Sequence, residues 1–371
     1  MAAFILHFSN SPEHGYIFWD YGAAGKYHYD REKFAAEIGV QRMDAYMYTW
    51  EDEPEDVINA RMDGILAGLK RYDTVFVQWP LPVVDQRWLQ KLFSHIRAFG
   101  AYIVLIIDDM LTWRNQPVFP APDTRDRETW LNNPSVQIEM NFIPQVDGIV
   151  THSTAMADHL REQMAIKGRE ITDNIAIYGP GGNASTYFQP SRELGHGVDY
   201  AGNLSYAKFL YELPQDFQIN VYGASPDELN LAQHPNISLT PRVDPEAINQ
   251  LLHGSFGLVW SSDSYPEATG VIAEYMHYNT SAKLSMYLAA DEPVIVWREA
   301  SFAPFIEANH LGLVIDDLSQ LPDTLAAVSE EDYQAMISRI QAIGPLIRNG
   351  FFLKKAMFDV LGKLYDQSQP K

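Results

Sequence analysis

The chain has 371 residues, 46% of them hydrophobic, 20% charged and 12% aromatic, with a formal net charge of -21 and no cysteine. That length predicts two hydrophobic cores of roughly 150–200 residues each, and the acidity argues against a nucleic-acid partner or an anionic membrane surface. The missing thiols exclude disulfides, iron–sulfur clusters, thiolate zinc sites and cysteine nucleophiles.

The start, Met1-Ala2-Ala3-Phe4-Ile5-Leu6-His7-Phe8, has neither a basic segment nor a long apolar run, so a secretory signal is not expected. Apolar runs such as Ile103 to Ile107 and Phe256 to Trp260 fall far short of the ~20 residues needed to span a bilayer. The expected compartment is the cytoplasm, with no transmembrane segment. Short apolar runs at Phe4 to Phe8, Thr74 to Gln78, Tyr102 to Ile107 and Gly148 to Thr151 predict buried strands, with helices between them at Asp56 to Leu69 and Gln86 to Phe99. Continuous β-branched runs, rather than alternation, mark strands covered on both faces, hence a mostly parallel, doubly wound sheet.

After Ile175-Ala176-Ile177 the turn-forming stretch Tyr178 to Asn183, extended by Pro190 and Gly195-His196-Gly197, predicts the linker. A second βα series follows. Its strands are expected at Val198 to Ala201, Gln218 to Tyr222, Ile237 to Leu239, Phe256 to Trp260, Pro293 to Trp297 and Gly312 to Ile315. Its helices are expected near Pro245 to Leu252, Ser281 to Ala290 and Leu318 to Val328. The fold class is therefore α/β, two facing Rossmann-like doubly wound domains over residues 1–180 and 190–344. The helical tail 345–371 is placed to pack back on the first domain. In such sheets ligands bind beyond the carboxyl ends of the strands, so a cleft between two of them holds two substrates.

Four segments are candidates for chemistry. In Tyr278-Asn279-Thr280-Ser281-Ala282-Lys283-Leu284, Asn279 or Ser281 caps a helix whose first turn carries Lys283, where the macrodipole favours an acid. Either an anion binds there, or Lys283 is a solvated lysine on an ordinary helix. The turn at Gly202-Asn203 leads from a strand into a helix and permits close backbone approach, with Lys208 as a further phosphate contact; the alternative is a plain βα turn. Asp108-Asp109 follows a buried strand and places two acids toward the cleft, Asp109 being the candidate base for an acceptor hydroxyl unless the pair only caps a helix. Gly22, Gly25 and Lys26 lie in a loop after the first strand that suits a sugar or phosphate, or is simply mobile. No Asp-x-Asp triplet, HExxH or GxSxG is present, and lone histidines such as His152 or His277 read first as structural. No metal is expected, which leaves lysines, amides and a helix dipole to stabilise a leaving diphosphate.

Several segments in this order resemble a bacterial family that includes the serine-rich adhesin glucosyltransferases and the β-1,6-galactofuranosyltransferases. They are Asp147 to Ser153, Tyr200 to Leu204, Gly254 to Trp260, Asn279 to Trp297 and Arg348 to Ala356. The resemblance implies the GT-B fold and a UDP-sugar donor, with Asn279 and Lys283 at the nucleotide diphosphate by the helix start at Ser281, the Gly202-Asn203 turn beside it and the Gly22 to Lys26 loop closing from the other domain. It also implies a homo-oligomer, as in the adhesin enzymes; the expected acceptor is a glycan or a glycosylated protein. In two places the chain departs from the family pattern: Asp108-Asp109 stands where the family has His-Asp, and the stretch Ser262 to His277 is longer. The expected activity is hexosyl transfer from a UDP-sugar, in exopolysaccharide or glycoprotein biosynthesis. The rivals are a nucleotide-sugar epimerase or hydrolase and a non-catalytic nucleotide-sugar-binding subunit.

Overall fold

The computed structural model describes residues 1–9, 23–46, 53–81, 86–115, 134–188, 191–215, 217–223, 231, 234–240 and 243–369. The first half contains β1 (Ala3–Ser9), α1 (Ala23–Glu37), β2 (Gln41–Tyr46), α2 (Glu55–Leu66), β3 (Thr74–Trp79), α3 (Gln86–Ala98) and β4 (Tyr102–Ile107). It continues with α4 (Leu111–Asn115), α5 (Pro134–Phe142), β5 (Gly148–Thr151), α6 (Thr154–Ala165) and β6 (Ile175–Ile177). Its six strands pair in parallel in the order β2-β1-β3-β4-β5-β6.

The second half contains β7 (Val198–Ala201), β8 (Ile219–Tyr222), β9 (Ile237–Thr240), α7 (Ile248–Leu251), β10 (Phe256–Val259), α8 (Val271–Tyr275) and α9 (Ala282–Ala289). After these come β11 (Val294–Trp297), α10 (Ala303–Asn309), β12 (Gly312–Ile315), α11 (Leu321–Ala327), α12 (Glu330–Arg348) and α13 (Phe351–Ser368). These strands too are parallel, in the order β12-β11-β10-β7-β8-β9. The strand order reverses at β1/β3 in the first sheet and at β7/β10 in the second, which puts the switch-point crevices beyond Ser9 and beyond Ala201.

The expected strands of the second series match the observed ones to within a residue at most ends. Two edge strands were not expected: β2, whose Arg42 and Asp44 break up the apolar run, and the three-residue β6. The tail is two helices rather than one. It breaks at Gly350, which sits at φ +60°, where a side chain would run into the Phe34 ring of α1.

Burial explains why the strands read as apolar runs. All six residues of β3 and five of the six in β4 are buried, because helices cover both faces of the sheet. Part of one face is covered by α13, from the far end of the chain. Its Leu353, Ala356, Met357, Val360 and Leu364 recur at helical spacing and pack with Phe34, Val104 and Val150. Asn174 beside β6 donates to the Val360 carbonyl at 3.2 Å, and Lys354 pairs with Glu37 of α1. Fully burying one such aliphatic side chain contributes roughly 1.5–3 kcal/mol, so this row fastens α13 to the first sheet, while α12 before it packs into the core of the second half through Tyr333, Ile337 and Ile340.

The halves also meet beneath the cleft. Tyr275 of α8 lies in the hydrophobic core of the first half, and its hydroxyl accepts a hydrogen bond from the Met110 amide at 3.0 Å. Tyr278 stacks on His159 of α6, with ring centroids 4.4 Å apart and planes at 14°.

Candidate functional site

The segment between Tyr278 and α9 sets out the candidate site. Of the two possible caps, Ser281 is the one used: it is extended (φ -63°, ψ 138°) and its Oγ accepts from the Lys283 amide at 3.3 Å. Asn279 plays a different part. Its carbonyl accepts from Ser301 Oγ at 2.7 Å, while its side-chain Oδ1 is buried with no hydrogen-bond partner among the described residues. A buried acceptor left unmade costs about 1–3 kcal/mol, so Asn279 is poised for a donor group such as a ligand hydroxyl or N–H.

Lys283 is partly buried, with its Nζ 5.3 Å from the centroid of the Tyr200 ring. Among the described residues no carboxylate pairs with it. Burial, with a smaller push from the Arg114 guanidinium, lowers its pKa to about 8. An ammonium kept without a counter-ion, at a helix end that already carries a partial positive charge, is an electrostatic deficit that an anion corrects.

The β7 exit runs against this lysine. Gly202 donates to the Tyr222 carbonyl at 3.0 Å and sits at φ +153°, and a Cβ built there would lie 2.8 Å from Lys283 Cε. Asn203 caps the next turn by accepting from the Ser205 amide at 3.0 Å. The helix expected after this turn is replaced by two 3-10 turns, Leu204–Tyr206 and Lys208–Tyr211, because Ala207 (φ -130°) interrupts the helical path between them. Lys208 reaches Asp263 at 2.8 Å across a cavity of about 240 Å³ whose lining includes Arg114, Tyr206, Ser262 and Thr269. The stretch after β10 is held by Ser262 Oγ, which donates to the Ser264 and Glu267 carbonyls, both at 2.8 Å, and accepts from the Thr269 amide at 2.9 Å.

Two predicted residues of the first half are committed to partners. Lys26, in the first turn of α1, is buried between Asp30 at 3.0 Å and Glu246 at 3.1 Å, and so bridges the two halves. Asp109 is ion-paired with Arg114 and hydrogen-bonded by the Tyr275 hydroxyl; burial raises its pKa against the pull of Arg114. Gly25 lies beside Lys26 in α1, while Gly22 lies outside the described residues. The structure therefore brings Gly202, Ser281 and Lys283 together, with Asn279 just before them and Lys208 at the adjoining cavity, while Lys26 turns to Glu246.

Sequence reasoning missed a buried polar cluster where β4 and β5 end. Asp108 pairs with Arg31, which also donates to Tyr178 Oη at 3.1 Å, and His28 Nδ1 stands 3.8 Å from the same carboxylate. Burial works to raise the Asp108 pKa, but Arg31 and His28 outweigh it and hold the carboxyl below its ordinary range. His152 contacts the Asp108 carbonyl at 2.6 Å and Tyr178 Oη at 2.8 Å, and burial takes its pKa down to about 4, leaving it neutral at ordinary pH. The available signal was a histidine immediately after β5 and, in α1, the polar residues Lys26, His28, Asp30, Arg31 and Glu32, all of them buried. Among the described residues no group of three or more His, Asp and Glu side chains is arranged to hold a metal ion, and no helix is long and apolar enough to cross a membrane.

Models of a glucosyltransferase 3-like family match the chain twice, its N-terminal domain over residues 16–171 and its C-terminal domain over residues 198–360. Glucosyltransferase 3 of Streptococcus parasanguinis is 24% identical over 323 residues, 87% of this chain and 89% of that protein. Glucosyltransferase 3 of Streptococcus gordonii is 26% identical over 341 residues, 90% of this chain and 92% of that protein. The β-1,6-galactofuranosyltransferase WbbI of Escherichia coli (strain K12) is 24% identical over 311 residues, 83% of this chain and 85% of that protein. Two solved glycosyltransferases share the fold, each at 12% identity. One is from Rickettsia africae ESF-5, with a TM-score of 0.58 over 99% of this chain and 100% of that one. The other is WaaG, involved in lipopolysaccharide biosynthesis, with a TM-score of 0.52 over 98% and 100%. The architecture is thus the GT-B arrangement of two facing α/β domains.

Proposed function

The chain belongs to the glucosyltransferase 3-like family and is a glycosyltransferase, and on that premise we propose that it moves a hexose from a UDP-sugar to a glycan or glycosylated-protein acceptor with no metal on the diphosphate. The observation that carries the reading is Lys283: a partly buried cation with no carboxylate partner among the described residues, beside the capped start of α9 and against the Gly202 turn. In this reading the diphosphate lies on Lys283 and the Ala282 amide at the start of α9. The buried Asn279 Oδ1 receives a hydroxyl or N–H of the nucleotide sugar.

The chemistry follows from where charge develops. As the acceptor oxygen bonds to the anomeric carbon, the bond from that carbon to the β-phosphate oxygen breaks and its electrons stay with UDP. A fixed ammonium and aligned amides in a partly desolvated site stabilise that charge without reorganising. The acceptor's proton passes to a base. Asp109 is the candidate, since burial raises its pKa and so its basicity, and Tyr275 and Arg114 hold it at the end of β4. A glucosyl or galactofuranosyl group fits what the relatives' names describe. A cytoplasmic site of action accords with the cysteine-free composition.

A thermal-shift panel of nucleotide sugars tests the reading. UDP-hexoses should raise the melting temperature more than GDP- or CMP-sugars, because a ligand of the folded state alone stabilises it by mass action. A panel in which no UDP-sugar shifts the transition would overturn it.

A further inference from the structure

We propose that Arg114, supplied by the first domain, is the second cationic ligand of the donor diphosphate, and that Asp109 holds its guanidinium in readiness for that role. The inference rests on the donor reading above and extends it across the cleft. Arg114 lines the cavity of about 240 Å³ that Tyr206, Lys208 and Ser262 line from the other domain. Its guanidinium carbon stands 5.8 Å from the centroid of the Tyr206 ring, on the 3-10 turn that follows Gly202-Asn203. It also lies close enough to Lys283 for its charge to be felt there. Two cations from different domains therefore converge where, among the described residues, Arg114 alone of the two has a carboxylate partner. Like charges gathered in a partly buried place repel, and a dianionic pyrophosphate is the ligand class that turns this repulsion into attraction.

The position of Arg114 is built rather than incidental. It sits on α4, whose first turn is capped by the buried Glu139: the Thr112 amide donates to that carboxylate at 3.3 Å, and the Thr112 hydroxyl donates to it as well. The neighbouring Trp113 donates from Nε1 to Gln163 at 2.6 Å and packs against Tyr278, 5.4 Å between ring centroids. Tyr278 directly precedes Asn279, so the backbone carrying Arg114 and the segment carrying Asn279 and Lys283 are fastened to each other. An arginine offers five N–H donors in a planar fork. Asp109 occupies part of that fork, and phosphate oxygens match the remainder.

The test compares calorimetric binding of UDP and UMP, which differ by one phosphate, in the wild type, R114Q, R114K and K283M, with thermal melts recorded for each. The expectation is that R114Q weakens UDP roughly 10- to 100-fold while UMP changes less than about threefold, with R114K between wild type and R114Q. Equal weakening of UDP and UMP by R114Q, with R114K no better, would make Arg114 a packing residue and overturn the inference. An unchanged UDP affinity in R114Q beside a large loss in K283M would overturn it too, while leaving the donor reading standing. Unchanged affinity in both variants would overturn both.

Discussion

The Lys283 ammonium faces the Tyr200 ring at 5.3 Å with no carboxylate partner among the described residues, and its burial lowers its pKa, so the folded protein holds this charge at a cost that a bound anion would relieve. Replacing it by methionine, which keeps much of the stem's apolar bulk, should cut UDP affinity roughly 10- to 100-fold. The same change should stabilise the unliganded protein. The folded pKa of about 8 lies below the ordinary 10.5, and each unit is worth about 1.4 kcal/mol, giving a gain of at most about 3.5 kcal/mol at neutral pH, reduced by solvent screening of the partly exposed lysine. Urea unfolding of K283M beside the wild type reads the second effect, and a destabilised K283M would show that the ammonium is satisfied in the free protein.

Donor binding should depend on pH with a definite sign. Below about 8 Lys283 is already charged, and affinity should be flat. Above that value the free site must take up a proton to bind the diphosphate, so affinity should fall as pH rises toward the higher pKa of the bound state. Calorimetry of UDP binding between about pH 7 and about pH 9.5 should show net proton uptake at the alkaline end. A pH-independent affinity across that window would place the diphosphate elsewhere.

Glu139 gives a separate pH signature. It is buried, it caps α4 through Thr112, and burial raises its pKa from 4.5 to about 7 despite those hydrogen bonds. The unfolded chain gives up this proton near 4.5 and the folded one only near 7. Stability is therefore lost as pH rises between those values and stays low above them. E139Q, which retains an acceptor for the Thr112 amide, should remove that slope and be about 1–3 kcal/mol more stable than the wild type at about pH 8, with little difference at about pH 5. Chemical denaturation of both proteins at the two values checks this, and parallel pH profiles would contradict it.

Gly202 tests the contact between the β7 exit and the donor lysine. An alanine there would place its Cβ 2.8 Å from Lys283 Cε, at a backbone φ of +153° that side chains rarely adopt. The flexible lysine end must then yield. G202A should lower UDP affinity about tenfold or more while shifting the unfolding midpoint modestly, by about 1 kcal/mol. A purely structural glycine would show the reverse balance, with stability lost and affinity kept.

The central strands were legible because each is a short apolar run covered on both faces, as in Tyr102 to Ile107 and Val294 to Trp297. The edge strand β2 escaped because Arg42 and Asp44 pair with each other on the exposed rim and break the apolar pattern. The start of α9 was legible for a similarly local reason: the capping serine and the misplaced lysine are two residues apart. Roles settled by partners far along the chain were not. Lys26 and Arg114 look alike as lone cations in sequence, yet the first meets Glu246, 220 residues away, and the second lies across the cleft from Lys283. The Arg31, His28 and Asp108 cluster was hidden in the same way, since α1 and the end of β4 come together only in the folded sheet.

In the donor reading, a strongly acidic protein keeps a small cationic pocket for a pyrophosphate at the start of α9. A crystal structure with UDP tests it most directly. The account predicts phosphate oxygens within hydrogen-bond distance of Lys283 Nζ and of a first-turn amide of α9, with Asn279 Oδ1 engaged by the nucleotide. UDP bound elsewhere, with Lys283 still facing only Tyr200, would contradict it.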